Sequence, residues 1–483
     1  MNPASLTTFI IYLIALITFG VIFYRFSNTL SDYILGGRKL KSGVAALSAG
    51  ASDMSGWLLL GLPGAVYAAG MNQIWIAVGL SIGAFFNWQY IAARLRTYTE
   101  KTNNAITLPD YLENRFEDKS RVLRIISATV ILIFFAIYTA SGMVAGAKLF
   151  ETTFGWNYEV ALWSGSAVIV VYTFLGGFLA VSWTDFFQGI LMFLALVTAP
   201  IILMFTYENW SGITDTVATI DSGMLSVYHD MTFLGAVSLL AWGFGYFGQP
   251  HILARFMAVE SPKSVPKAQM IGIGWMVFSL FGAVLVGFTG IAYFAEAGGL
   301  EDEEFVFMMM IQELFNPWIA GILLAAILSA VMSTVDSQLL VCSSAIAEDF
   351  YKGMMRPSAS NNELVWVGRL SVVLVAIVAL IIAYNPESMV LELVAYAWAG
   401  FGASFGPVII LSLFWSRMTL RGALAGVITG AVVVVAWNNL EGGLFDLYEI
   451  LPGFLLSMLA IYAFSVTDNP PSETIRQKFE SIK

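Results

Sequence analysis

Uninterrupted apolar stretches of about 20 residues, the length that crosses a bilayer as a helix, recur from one end of the chain to the other. They leave no room for a soluble domain. Only 12% of the residues are charged and 58% are hydrophobic, whereas a soluble protein carries about 25% charged residues. Soluble helices also divide their apolar residues into amphipathic periods, which these stretches lack. We therefore predict an all-α integral membrane protein.

About thirteen transmembrane spans are predicted, and the charges between them alternate. Every Lys and Arg except Lys148 falls on one set of alternate connections, while the opposite connections are acidic. The positive-inside rule then places the N-terminus outside and the C-terminus in the cytoplasm, which requires an odd number of spans. The first stretch lacks a preceding basic region and a cleavage site, so it is predicted to be a retained helix. The spans are 6–25, 43–69, 73–93, 125–147, 159–181, 184–206, 232–250, 270–295, 317–342, 364–384, 388–414, 422–440 and 450–467.

Two of these spans carry polar, glycine-rich interruptions. They are "SAGASDMSGW" in the second span and "WGFGYFGQP" at the inner end of the seventh. Lipid cannot satisfy the backbone groups that such breaks release, so they must face protein or a water-filled cavity. Glycine and proline also allow close helix packing, which is the alternative for each stretch alone. The matched placement, five spans apart, favours the discontinuous first helices of two inverted five-helix repeats.

This pattern predicts four parts of the chain. Residues 1–42 hold the first helix and the first cytoplasmic loop, and residues 43–414 form a ten-helix transport core. Within that core the repeats cover about 43–206 and 232–414. Two further helices occupy 415–467, and a short cytoplasmic tail occupies 468–483.

The ninth span and the first break together suggest a cation site. Ala330, Ser333 and Thr334 stand at i, i+3 and i+4, so a carbonyl and two hydroxyls share one helix face. The break frees carbonyls, for example those of Ala51 and Met54. A shell of neutral oxygens suits sodium rather than zinc or copper. The alternative is that the hydroxyls bond back to carbonyls of their own helix, as they often do in membranes.

Three aspartates lie near these elements. Asp53 lies inside a span, where an ionisable group is a functional hypothesis by default, with structural pairing as the alternative. We expect it to add negative potential near the ion and to hold the unwound backbone. Asp185 and Asp336 either line an exit path or are carboxylates at helix ends or in loops, exposed to water. The residues alone leave both open.

Other kinds of site are disfavoured. Cys342 is the single cysteine, which excludes an internal disulfide, and His229 and His251 are far apart in sequence. A transition-metal site is therefore not expected, and no cofactor is predicted other than Na⁺ as coupling ion. The net charge of −10 gives no indication of nucleic-acid binding, which needs a basic surface.

Several long segments of the sequence resemble those of a known protein family. They include "LSAGASDMSGWLLLGLPGAVY", "LPDYLENRFEDKSRVLRIISA", "YTFLGGFLAVSWTD", "GYFGQPHILARFMA", "NPWIAGILLAAILSAVMST" and "AYAWAGFGASFGPV". With these phrases in this order, from about residue 32 to 465, the chain resembles the sodium/solute symporter family. The resemblance implies a thirteen-helix protein of a bacterial cytoplasmic membrane that imports L-proline with sodium.

The resemblance also implies roles for single residues. The sodium ligands would be Ala51, Met54, Ala330, Ser333 and Thr334. Asp53, Ser55 and Gly56 would serve sodium and substrate binding, and Asp185 the sodium release route. Substrate contacts would be Tyr138, Trp242, Tyr246 and Pro250, and Arg38 would be a functional residue of the first cytoplasmic loop.

Proline fits these residues chemically. Its apolar ring can be covered by aromatic faces such as those of Tyr138, Trp242 and Tyr246, and its carboxylate suits amides at a half-helix N-terminus. Each aromatic taken singly is equally compatible with ordinary packing or an interface anchor, because 14% of the chain is aromatic. Only the resemblance selects these three.

Other functions compete with symport. An ATP-driven pump needs a phosphate-cradling loop, but the sequence contains no Gly-Lys dipeptide, and an enzyme is not expected because HExxH and GxSxG are absent. A sensor would carry a large cytoplasmic domain, and only about 16 residues follow Thr467. A channel and a sodium symporter for another small solute stay open.

Overall fold

The computed structural model describes residues 3–24, 29–206, 209–385 and 389–481. All regular elements in these ranges are helical, and a lone parallel bridge joins Leu40 to Val259. The α-helices are α1 Pro3–Tyr24, α2 Leu30–Leu35, α3 Ser42–Asp53, α4 Gly56–Leu59, α5 Gly61–Ala69, α6 Ile74–Phe86, α7 Ala93–Lys101, α8 Leu108–Phe116, α9 Val122–Phe154, α10 Tyr158–Gly176 and α11 Phe178–Thr206.

The second half of the chain continues this helical order. It contains α12 Trp210–Asp221, α13 Phe233–Ala241, α14 Pro250–Ala258, α15 Val265–Tyr293, α16 Val306–Leu314, α17 Pro317–Ser344, α18 Asn361–Ile382, α19 Val390–Phe414, α20 Leu420–Trp437, α21 Ile450–Thr467 and α22 Glu473–Glu480. The 3-10 helices are Gly36–Arg38, Gly70–Gln73, Ser222–Leu225, Trp242–Gly248, Pro262–Ser264, Glu303–Phe305 and Gly443–Asp446. Two π-helical segments are Asn87–Ala92 and Ala345–Met355.

The lengths and surfaces of the helices suit a bilayer. Ten helical segments of the described ranges are long and apolar enough to cross a membrane. Large apolar side chains such as Phe205, Met270 and Ile381 point outward, where only lipid can cover them. Within the described ranges, each predicted span largely coincides with one helix or with consecutive helical segments, although the fifth span extends past the end of α10 into the start of α11. The count of thirteen spans stays a prediction.

The first predicted break is present. The helix α3 ends at Asp53, and Met54 leaves helical geometry with φ −81° and ψ 72°. Ser55 is the N-cap of the short helix α4, since its Oγ accepts from the Trp57 amide at 3.4 Å. Leu60, with φ −118° and ψ −62°, separates α4 from α5. The second span is therefore three helical pieces, and its polar residues lie at the first joint.

The second predicted break has a different form. After α13 the chain tightens into the 3-10 helix Trp242–Gly248, and Gln249 turns it with φ −75° and ψ 108°. Pro250 then occupies the first turn of α14, where its missing N–H costs nothing. An added Cβ at Gly248 would lie 2.8 Å from the backbone carbon of Phe401. Glycine there lets the broken span approach α19 closely.

Helices five spans apart make matching contacts. The helix α11 packs on α3, as α19 packs on Trp242–Gly248. Likewise α11 packs on α17 as α19 packs on α9, and α10 packs on α17 as α18 packs on α9. Each of these contacts of one set of five spans therefore has a counterpart in the other set. Two structural repeats are expected to show this relation. The division at residues 42, 414 and 467 stays a prediction.

Candidate functional site

The last turn of α3 meets α17 through buried oxygens. Ser333 Oγ donates to the Ala51 carbonyl at 2.8 Å, and Thr334 Oγ1 lies 3.4 Å from the same oxygen. Ser333 Oγ also lies 3.1 Å from the Ala330 carbonyl, so back-bonding within α17 accounts for only part of its contacts. All four residues are buried. The structure thus brings together four of the five predicted sodium ligands.

Met54, the fifth, lies in the joint beside them. It is fully buried, and its backbone has left the helix, so the joint sits in the protein interior rather than in lipid. The Ser55 amide donates to the Asp53 carbonyl at 3.0 Å. Ser55 therefore holds the joint on both sides, through this amide and through its hydroxyl cap on α4.

Gly56 allows α4 to lie close to two other helices. An added Cβ would lie 2.7 Å from Ala145 Cβ on α9 and 3.3 Å from a Val331 methyl on α17. Those distances are too short for a methyl group without displacement of the neighbouring helices. The resemblance implies a functional role for Gly56. The structure also gives a packing reason for glycine here, next to the oxygen cluster.

Asp53 connects the first break to the aromatic residues. Its Oδ2 accepts from the Tyr246 hydroxyl, while Oδ1 is buried with no hydrogen-bond partner in the described ranges. Its backbone carbonyl accepts from Tyr138 OH and from Trp57 Nε1, each at 3.2 Å. A buried carboxylate with one oxygen left without a partner is expensive, so Asp53 Oδ1 is a candidate contact for a cationic ligand.

A cluster of aromatic rings extends from Asp53. The Trp57 and Trp242 centroids are 6.2 Å apart, and Tyr448 follows at 5.3 Å from Trp242. Trp398 lies edge-on to Tyr246 at 5.1 Å, and its indole N–H donates to the Trp242 carbonyl at 2.8 Å. Sequence reasoning missed Trp57, Trp398 and Tyr448 as members of this cluster. Trp57 and Trp398 do lie in sequence segments that carry the family resemblance.

The contacts of Pro250 differ from those of the other predicted substrate residues. It begins α14 and lines a narrow internal cavity with Ala254, Arg255 and Ser337, whereas Tyr138, Trp242 and Tyr246 surround Asp53 and Trp57. In the structure Pro250 serves to begin the helix α14.

Asp185 belongs to a second buried cluster. The helix α11 begins at Phe178 rather than near residue 184, so Asp185 lies inside it and is fully buried. Its Oδ2 accepts from Ser48 Oγ at 2.7 Å and from Arg255 Nη2 at 3.2 Å. Asp336 is also fully buried. The alternative of carboxylates exposed to water was therefore wrong for both.

Arg255 joins the members of this second cluster. Its guanidinium donates to Ser48 Oγ at 3.1 Å and to Ser337 Oγ, besides Asp185. Ser48 lies one turn before Ala51 on α3, and Ser337 lies one turn after Ser333 on α17. The cluster is therefore one helical turn from the oxygen site. Sequence reasoning missed Arg255 because it counted this residue with a cytoplasmic loop.

Arg38 ties the first loop to two other segments. Its guanidinium donates to the carbonyls of Met257 at 2.6 Å and Ala105 at 2.7 Å, and to Asn104 Oδ1 at 2.9 Å. Burial lowers the pKa of Arg38 to about 10, so the side chain stays charged at neutral pH. The left-handed backbone of Arg38, φ 56°, follows two glycines in the same region. Arg38 thus anchors the end of α14, away from the cluster at Asp53.

Solved structures share this arrangement of helices. A substrate-bound, outward-open Na⁺-coupled sialic acid symporter matches with a TM-score of 0.83 over 98% of this chain and 99% of that one, at 19% identity. A nucleobase-cation-symport-1 family transporter matches with a TM-score of 0.57 over 94% and 98%, at 15% identity. At such identities the likeness concerns the fold alone. It confirms the predicted all-α membrane fold with an inverted-repeat core.

Sequence relatives are much closer. A protein of Salmonella typhimurium named sodium/proline symporter is 55% identical over 99% of this chain and 96% of its own length. The high-affinity proline transporter PutP of Bacillus subtilis is 52% identical over 96% of this chain and 98% of its own. The model of the sodium:solute symporter family matches residues 33–430. The chain, a transporter rather than an enzyme, belongs to the sodium:solute symporter family.

Proposed function

We propose that this protein imports L-proline with sodium by alternating access across a bacterial cytoplasmic membrane. The observation that carries this proposal is the joint at residues 53–55. On one side of it the Ala51 carbonyl meets the hydroxyls of Ser333 and Thr334, and on the other side Asp53 meets Tyr246. The proteins that match the chain over nearly their whole length are named for sodium and proline.

Sodium fits the oxygens at α3 and α17. The proposed ligands are carbonyls of Ala51, Met54 and Ala330 and hydroxyls of Ser333 and Thr334. Neutral oxygens in a buried site favour a weakly charged hard cation, since a dication would need several carboxylates. Asp53 supplies one negative charge two residues from Ala51, which offsets the charge of one sodium ion.

Proline fits the aromatic side of the joint. Asp53 Oδ1 can accept from the secondary ammonium group of proline, and the faces of Trp242 and Tyr246 can cover its ring. Both ligands would thereby order the same turn of α3. Since binding linkage is reciprocal, sodium raises the affinity for proline and proline raises that for sodium. Ser55 and Gly56 serve both ligands by holding this turn in place.

One sodium ion supplies enough energy for concentrative uptake. A potential of about 100 mV gives roughly 2.3 kcal/mol per charge, and a tenfold sodium gradient gives roughly 1.4 kcal/mol more. Together these support a proline gradient of about 500-fold. A channel supports no such gradient.

The test of the function is uptake into proteoliposomes. We expect labelled proline to accumulate against its gradient with sodium outside, and to stop doing so when choline replaces sodium or an ionophore collapses the sodium gradient. Counterflow against a panel of amino acids separates proline from other small solutes. Passive equilibration without accumulation would instead identify a channel.

We further propose that the N-terminus is outside and the C-terminus is cytoplasmic. This orientation rests on the basic residues of the connections, which include Arg38 and Lys263 but not Lys148. In a Cys342→Ala background, a cysteine placed at Lys39 should react with impermeant thiol reagents only after the cytoplasmic side is exposed. A cysteine at Gly442 should react from outside, and the reverse pattern would refute the orientation.

Ser333→Ala and Thr334→Ala are expected to raise the sodium concentration for half-maximal proline uptake by at least fivefold. Each change removes one oxygen from a small ligand shell, so sodium binding weakens while the fold stays intact. The measurement is uptake against sodium concentration in proteoliposomes. Ser343→Ala is the matched control, because this buried hydroxyl on the same helix donates to Gly368 instead. Unchanged sodium dependence in both variants would exclude these hydroxyls from the site.

Trp242→Ala and Tyr246→Phe are expected to raise the proline concentration for half-maximal uptake by about tenfold and threefold, respectively. The first removes a ring face, and the second removes the hydrogen bond that orients Asp53. Sodium binding without proline should change less. Tyr172→Phe on α10 serves as the control, since its hydroxyl meets Thr184. Proline affinity like that of the parent in both variants would make these side chains packing residues.

A further inference from the structure

His251 is a buried histidine whose ring has no polar partner among the described residues. It is fully buried near the start of α14, and neither ring nitrogen has a hydrogen-bond partner in the part of the chain that the structure describes. Its ring lies edge-on to Phe135 at 5.6 Å and to Tyr138 at 6.1 Å between centroids. A neutral imidazole carries one donor and one acceptor, and burying both unused is costly.

Gln338 on α17 is also a buried polar residue with an unused hydrogen-bonding group. It lies beside the turn of α9 that contains Tyr138. Its Oε1 accepts from Thr139 Oγ1 at 3.1 Å, while its Nε2 is buried without a partner in the described ranges. Thr139 directly follows Tyr138, whose ring faces His251. Arg255 provides a second link, because it donates to the His251 carbonyl at 3.1 Å and to Ser337 Oγ. His251 and Gln338 therefore lie at one level, from α14 and α17.

This level lies about one helical turn from the joint at residues 53–55. Gln338 follows Thr334 by one turn of α17. On α14, Arg255 follows His251 by one turn and lines the internal cavity that is also lined by Thr107 and Asp349. With the N-terminus outside, this direction leads to the cytoplasm. His251 and Gln338 therefore lie between the cluster around Asp53 and the inner side of the protein in the proposed orientation.

We propose that His251 and Gln338 form an inner station, a second and transient binding site for proline on its way to the cytoplasm. This inference rests on the proposed function. The unpartnered groups match the carboxylate of proline, because the imidazole N–H of His251 and the side-chain amide of Gln338 can both donate to it. Phe135 and Tyr138 supply apolar faces for the ring. The inner station lowers the cost of desolvating the carboxylate during release.

The inner station predicts a separation of binding from turnover. We expect His251→Leu and Gln338→Met to bind labelled proline, in detergent and saturating sodium, within about twofold of the parent affinity. Sodium-driven uptake into proteoliposomes should fall at least tenfold in maximal rate. His251→Gln keeps one donor and one acceptor and should retain at least a third of that rate. Ser166→Ala, which removes a buried hydroxyl on α10, controls for generic effects of core polarity loss.

Two results would overturn the inner station. One is a maximal uptake rate within twofold of the parent in both apolar variants. The other is weaker proline binding in proportion to the lost uptake, because these side chains would then belong to the cluster around Asp53. If His251→Leu is not recovered folded, Gln338→Met and His251→Gln decide by the same criteria. A parent protein that binds no proline would instead refute the proposed function, so the two failures are distinguishable.

Discussion

Asp53→Asn is expected to reach the membrane folded and to lose at least 99% of sodium-driven proline uptake, a drop of about a hundredfold that corresponds to roughly 2.7 kcal/mol. Asparagine keeps the size of the side chain and can still accept from Tyr246. It removes the negative charge, which in the proposed function balances a cation at the joint. Uptake at saturating sodium and proline, normalised to the amount of folded protein, measures the effect.

Two further measurements assign the loss to charge. Asp53→Glu keeps the charge at a shifted position and should retain some uptake. Sodium should protect residues 48–57 from hydrogen exchange in the parent and protect them less in Asp53→Asn. Uptake at the parent level with an unshifted sodium requirement would contradict this account. The polar stretch would then be a packing feature, as Gly56 already is in part.

The breaks and one face of the ion site could be predicted from the sequence because both depend on local composition. Serine, glycine and aspartate within an apolar stretch weaken the helix where they occur, and α3 does end at Asp53. Spacing on a helix is likewise local, so Ala330, Ser333 and Thr334 share a face whatever surrounds them. The contact of that face with Ala51 requires the packing of two distant helices. Spacing alone does not give that packing. The carbonyls freed by the break supplied a chemical reason to expect it, and the resemblance to a family implied the same residues.

The second buried cluster was missed because it depends on four helices at once. The carboxylate of Asp185 meets Ser48 and Arg255 only after α3, α11 and α14 are packed together. Counting charges placed Arg255 with a loop, although its side chain is 1% exposed. A local signal was present, since Pro250 at the start of a helix predicts that the following residues continue inside it.

Arg255 balances the charge beside the proposed sodium route. It contributes one positive charge to a region that holds the buried carboxylates of Asp185 and Asp336. Its guanidinium bridges residues of three other helices through Ser48, Asp185 and Ser337. A sodium ion that moves inward from the oxygen site would meet this cluster after one helical turn. We therefore expect Arg255 to govern both stability and inward release.

Arg255→Gln is expected to lower the free energy of unfolding by about 3–5 kcal/mol, because it leaves the Asp185 carboxylate buried without its cation. Uptake per folded protein should fall at least tenfold. Arg255→Lys keeps the charge but cannot reach Ser48, Asp185 and Ser337 at once, so it should recover part of the stability. Thermal unfolding in detergent and proteoliposome uptake measure the two effects.

The double variant Arg255→Gln with Asp185→Asn separates stability from transport. Removing the partner charge should restore most of the lost unfolding free energy, since the cost of an isolated buried charge is gone. Uptake should stay low, because the variant lacks Asp185, the carboxylate that the resemblance to the family implies for the sodium release route. A double variant that is no more stable than Arg255→Gln would show that the ion pair does not explain the loss of stability. Parent-level uptake in the double variant would show that sodium leaves by another route.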